Sequence, residues 1–135
     1  MTADQFDRDY LWHFRAEFLS MEYIDGDTFT ALVDTGFNGR QRVRVRIADL
    51  DMPEVREGHG SMAQSTLRMI LDSPNGWPLR IVTRQRETVV TEVRSFERYV
   101  ADVYVIGLTG QLMNVREMME DWYAAWTTRQ TSGHR

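Results

Sequence analysis

The sequence contains no lysine; all sixteen basic side chains are arginine, set against twenty acids. Without lysine there is no Schiff-base chemistry and no glycine-rich phosphate loop of the lysine-ended kind. Cysteine is absent too, which excludes disulfide staples, thiol catalysis and zinc knuckles. Histidine occurs only at His13, His59 and His134, too scattered for a histidine-rich metal site. No apolar run reaches the roughly eighteen residues of a membrane span. The opening MTADQFDRDY lacks the basic-then-apolar plan of a secretory signal, so a cytoplasmic protein with no membrane partner is expected.

What is present suits one globular domain. The chain has 135 residues, 42% hydrophobic and 27% charged, too apolar for a disordered segment and long enough to bury a core without staples. Arginine without lysine has two readings. One is a GC-rich coding bias; the other is phosphate handling, for which a guanidinium fork is better matched than an ammonium. Composition alone does not separate them. Position adds something: the net charge is −4, yet residues 40–98 carry a small basic excess while residues 1–39 are strongly acidic. A locally basic face suits an anionic ligand, although a solvated strand face reads the same way.

Periodicity predicts strands first. Phe14–Phe18 alternates apolar and polar residues, and Thr28–Val33 is β-rich. Asp34-Thr35-Gly36 and Asn38-Gly39 are hairpin punctuation. Arg42-Val43-Arg44-Val45-Arg46-Ile47 alternates strictly, with every arginine on one face. A helix is predicted over 60–71, with Ser61 as its cap and Met62, Leu67, Ile70 and Leu71 as its buried stripe. Two β-type runs follow, Leu79–Arg84 and Thr88–Val93, and then Tyr99–Ile106. Asn114 with Glu117 forms a capping-box pattern ahead of a last helix, whose apolar stripe is Val115, Met118, Met119, Trp122, Tyr123 and Trp126.

The expected fold is mainly β with helices (α+β): a five-stranded OB-fold Greek-key barrel with two or three helices. The expected organisation is an N-terminal extension (1–13), the barrel domain (14–126) and a polar, flexible tail (127–135). Residues 1–12 could also form a short amphipathic arm that docks on the barrel or on a partner.

Three short segments carry chemistry. They are Ile24-Asp25-Gly26-Asp27-Thr28, then Arg46-Ile47-Ala48-Asp49-Leu50-Asp51-Met52-Pro53-Glu54, then Phe96-Glu97-Arg98. Singly, each reads as a turn, a strand exit or a strand start. In this order, with a helix between the second and third, they resemble the staphylococcal nuclease family over roughly residues 14–126. Its pattern runs IDGDT, then R-x-x-x-x-D-x-P-E, then an aromatic-x-R before a strand. Arg46, Asp51, Pro53 and Glu54 match the second segment at fixed spacing.

The resemblance implies a Ca²⁺-dependent nuclease that cuts DNA or RNA and leaves 3′-phosphate and 5′-hydroxyl ends. Asp27 and Asp51 would be calcium carboxylates, with Met52 a ligand through its main-chain carbonyl. Glu54 would position or activate the attacking water, and Arg46 and Arg98 would hold the scissile phosphate. The chemistry is coherent, because hard oxygen donors suit Ca²⁺ and paired guanidinium forks suit a phosphorane. Single-stranded substrate is the expected preference.

The departures define the alternative. Phe96-Glu97-Arg98 replaces the family's Tyr-Gly-Arg, so a carboxylate adjoins the arginine. Trp122 stands where the last helix usually has glycine, and the C-terminal base-stacking tyrosines of the secreted enzyme have no counterpart. The alternative is a catalytically weak or inactive module of the same fold that binds nucleic acid or protein. A protein partner and self-association both stay open.

Overall fold

In a computed structural model of the chain, residues 1–3, 13–53, 60–72, 78–90 and 95–132 are described. Residues 4–12 of the expected N-terminal arm therefore lie outside the described residues. The strands are β1 (His13–Phe18), β2 (Thr28–Gly36), β3 (Gly39–Ile47), β4 (Leu79–Val90), β5 (Ser95–Ile106) and the short β6 (Leu112–Asn114). The helices are α1 (Gly60–Leu71), between β3 and β4, and α2 (Val115–Ser132) at the end.

The sheet order is β3-β2-β1-β4-β5-β6, and a parallel β3–β5 pairing closes it into a five-stranded barrel. That is the expected OB-type barrel, with β6 added as an edge ribbon on β5. The barrel is filled from alternate positions. Phe29, Ala31 and Val33 of β2 and Val45 and Ile47 of β3 point inward with Ala16, Leu79, Ile81, Ala101 and Val103. Their partners on the other face of β3, Arg42, Arg44 and Arg46, pair in register with Leu32, Thr30 and Thr28, so period-two alternation is realised as read.

The β2–β3 hairpin turns at Phe37 and Asn38, both with positive φ (54° and 61°), as a two-residue primed turn requires. Gly36 and Gly39 flank the turn as the last register pair. β2 thus runs three residues beyond its predicted end.

Four details differ from the expectation. The runs Leu79–Arg84 and Thr88–Val93 are not separate strands. They belong to one strand, β4, whose pairing with β5 slips by one residue between Thr83 and Gln85, a β-bulge at Arg84 that breaks the pattern without ending the ladder. Residues 91–93 lie outside the described residues. On α1 the buried positions are Gly60, Ala63, Leu67 and Leu71, while Met62 is 46% exposed; the helix lies so close to the loop before β2 that only Ala63 fits there. Ser61 is inside the first turn rather than capping it. Finally, α2 continues through residues 127–132, where a tail was expected. The hydroxyls of Thr127 and Thr128 donate to the carbonyls of Tyr123 and Ala124.

The last helix starts as read: the amide of Glu117 donates to Asn114 Oδ1 at 3.2 Å. Val115 and Met119 are fully buried, and Trp122 and Tyr123 pack on the core's edge. No helix among the described residues is long and apolar enough to cross a membrane.

Candidate nucleic-acid site

The loop between β1 and β2 carries Asp27, and its shape is fixed from several sides. The amide of Asp25 donates to the Thr28 carbonyl at 2.7 Å, and the amide of Gly26 to the Asp25 carboxylate at 2.8 Å. From α1, Gln64 Nε2 donates to the Ile24 carbonyl at 3.1 Å and Arg68 to the Ser20 carbonyl at 2.6 Å. Gly26 is there for closeness rather than for an unusual backbone angle. A Cβ on it would stand 2.8 Å from the Cβ atoms of both Ala63 and Met52.

The second segment leaves β3 and meets that loop. The amide of Ile47 donates to the Asp27 carbonyl at 2.8 Å. Asp49 takes a positive φ of 61°, which a short carboxylate side chain tolerates. The chain then returns so that the amide of Met52 donates to Asp27 Oδ2 at 3.3 Å, while Asp27 Oδ1 accepts from the Thr28 hydroxyl at 3.0 Å. The Met52 side chain is buried in the core, which anchors the loop, and Asp51 is exposed beside it. The structure thus brings Asp27 together with the 51–52 segment. Glu54 lies outside the described residues, as does His59.

Arg46 and Arg98 share a face. Val45 and Ile47 point into the barrel, so Arg46 between them points out. Parallel pairing sets Arg46 beside Val100; Arg98, two residues earlier on β5, emerges on the same outer surface. Both arginines are half-buried. Arg46 Nη2 donates to the Leu50 carbonyl at 3.3 Å, which ties it to the loop that carries Asp51. Glu97, the residue that departs from the family pattern, is 3.6 Å from Arg86 Nη1, so an ion pair on β4 occupies the carboxylate next to Arg98.

Sequence reading missed Arg84. From the bulge in β4 it grips Asp102 with Nε (3.0 Å) and Nη2 (2.7 Å), and reaches Asp49 with Nη1 (2.9 Å). The Asp102 carboxylate, then that of Asp49, holds the Arg84 guanidinium even more firmly protonated than usual. Nothing in the sequence marks this residue except its break in the alternation of β4. It also missed Tyr23, whose ring lies under the Arg44 guanidinium; the signal was its place just ahead of Ile24-Asp25-Gly26-Asp27-Thr28.

Chemically, the donors suit a hard cation of loose geometry. Asp27, Asp51 and the Met52 carbonyl are all oxygens, and the contact between Asp27 and Met52 draws two of the three segments together. Among the described residues no group of three acidic or histidine side chains is close enough to hold a metal alone, so a main-chain carbonyl and water would have to complete the shell.

A closed OB-type barrel, with acids from two loops beside outward-facing arginines, defines the class. No family model matches the chain. It is similar to a protein named Micrococcal nuclease from Shigella flexneri, 32% identical over an alignment of 123 residues that covers 86% of this chain. The chain spans 59% of that relative's length. Motif order, barrel topology and this likeness support a staphylococcal nuclease-like family.

Proposed function

We propose that the chain is a calcium-dependent nuclease that hydrolyses phosphodiester bonds of DNA or RNA, leaving 3′-phosphate and 5′-hydroxyl ends. One observation carries the reading: Arg46 and Arg98 face outward from adjacent strands next to the junction where Asp27 accepts from Met52. The similarity to a Micrococcal nuclease supports the same class of reaction.

On this reading Asp27, Asp51 and the Met52 carbonyl would hold Ca²⁺, which would supply polarisation of the phosphoryl oxygen and orientation of a water. Glu54 accepts that water's proton. Arg46 and Arg98 take the phosphate oxygens in charge-assisted hydrogen bonds that strengthen as the phosphorane forms. Arg46 also donates to the Leu50 carbonyl, so phosphate binding and the placement of the Asp51 loop are linked through one guanidinium.

The test is cleavage of single- and double-stranded DNA and of RNA, compared in Ca²⁺, Mg²⁺ and EDTA. Wild type cuts in Ca²⁺ and not in EDTA, with single-stranded substrate preferred. Glu54→Gln and Arg98→Ala each lower the rate by about 10²–10³, the scale of a single transition-state donor. Activity that persists in both variants overturns the assignment. A second reading, a slow or inactive nucleic-acid-binding module, draws on Arg46 being engaged by Leu50; oligonucleotide binding without cleavage at millimolar calcium decides for it.

A further inference from the structure

Beside the catalytic face is a depression of about 250 Å³ whose walls include Tyr23, Thr30, Arg44, Glu22, Arg42 and Glu97. Its floor is a prebuilt platform. The Tyr23 carbonyl accepts from both the amide (3.0 Å) and the hydroxyl (3.2 Å) of Thr30, which fastens the loop to β2. The Tyr23 ring stays 44% exposed, with the Arg44 guanidinium carbon 4.4 Å from the ring's centroid. An aromatic ring and a guanidinium plane are the two surfaces on which single-stranded bases stack.

The position fits the scissile phosphate. Arg44 precedes Arg46 by two residues on the same outer face of β3, about 7 Å along the strand, close to one nucleotide step of an extended chain. Tyr23 lies four residues before Asp27 in the loop that presents it. The local charge argues for a base rather than a second phosphate. Arg42 is paired with Glu22 at 2.7 Å, and the Glu97 carboxylate also lines the depression. Cations and anions are balanced there, and a phosphate would meet two carboxylates.

We propose that Tyr23 and Arg44 form a stacking subsite for the nucleobase next to the scissile phosphate. This deepens the nuclease reading and rests on it. The subsite holds the substrate strand in register over Arg46 and Arg98, and it makes single strands, whose bases can splay out, better ligands than duplexes.

The experiment uses a single-stranded DNA oligonucleotide and the same strand with an abasic residue scanned along it. Binding is measured by fluorescence anisotropy in EDTA and cleavage in Ca²⁺. Tyr23→Ala raises Kd and KM about tenfold, the scale of one base–aromatic stack, with kcat little changed; Tyr23→Trp restores both. In wild type one abasic position next to the cut weakens binding by a similar factor, and in Tyr23→Ala that same lesion costs nothing further. Arg44→Lys keeps the charge, loses the planar face and behaves as Tyr23→Ala does. If wild type binds and cuts while Tyr23→Ala is unchanged, or the abasic penalty survives that substitution, the subsite is overturned and the nuclease reading stands. A wild-type chain that neither binds nor cuts overturns both.

Discussion

Arg84 Nη1 donates to Asp49 Oδ2 across 2.9 Å, tying a bulge in β4 to the loop that leaves β3. The same guanidinium is held by Asp102 on β5, so one side chain fixes the loop against two strands of the barrel. Asp49 is two residues from Asp51 and three from Met52. Arg84→Met keeps the aliphatic stem and removes the fork. On the proposed calcium-dependent reading it is expected to raise the calcium concentration for half-maximal cleavage by about tenfold, the low end for contacts that support metal ligands. Thermal unfolding should move little, because all three side chains are partly solvated. The variant and wild type should converge at high salt, where surface ion pairs are screened. An unchanged calcium titration would show that the loop holds its shape without Arg84.

A second ionic contact sets a pH dependence. The carboxyl of Asp34 is held below the usual carboxylate range by the Gly36 amide first and by Arg15 second. The contacts are short, 2.9 Å from the amide and 2.7 Å from Arg15 Nη2. A carboxylate whose pKa falls on folding adds stability that is fully present above its unfolded value, near 3.9. That stability is lost as pH falls through the lower folded value. Asp34→Asn should therefore melt below wild type at neutral pH, and the gap should close as the pH drops below about 4. Melting curves across this range decide it; a gap that persists in acid rules the linkage out.

The barrel was legible because its strands alternate cleanly. Val43, Val45 and Ile47 against Arg42, Arg44 and Arg46 fix both the face and the register of β3, and Asn114 with Glu117 marks the start of α2 within a residue. The errors fell where two signals competed. Arg84 interrupts the apolar pattern of β4, and a one-residue bulge looks like a strand end when only the period is counted. Met62 is apolar and correctly spaced for the α1 stripe, but the distance between helix and loop decides burial, and Ala63 is the side chain that fits against Gly26. The site shows the same division. Asp27, Arg46, Asp51 and Arg98 are picked out by the family motifs they match, whereas Arg84 and the Tyr23–Arg44 pair depend on contacts between residues 18 or more positions apart.

Gly26 makes a prediction of its own. Adding a methyl group there forces the loop away from two Cβ atoms that belong to the core, not to flexible side-chain ends. Gly26→Ala is expected to destabilise the fold by about 1–3 kcal/mol, the usual scale of overpacking. It should also lower cleavage well below the melting temperature, because the displaced loop is the one that carries Asp27. Ala63→Gly removes one of the two obstructing atoms, so the double variant should regain part of the lost activity. No recovery would assign the effect to Met52 alone.

Asp27 and Met52 allow charge and burial to be separated. Asp27→Asn keeps an oxygen that can accept from the Met52 amide, so the loop junction should survive with little change in melting temperature. What it loses is the negative charge, and on the proposed reading cleavage should fall at least about 10²-fold. Met52→Thr does the reverse. It leaves the main-chain carbonyl in place but withdraws a side chain only 8% exposed, at a cost of roughly 2 kcal/mol or more of stability. Its rate in saturating calcium at a temperature where it is folded should stay within a few-fold of wild type. If Met52→Thr instead lost activity in step with Asp27→Asn while remaining folded, the side chain and not the carbonyl would be what the site requires at that position.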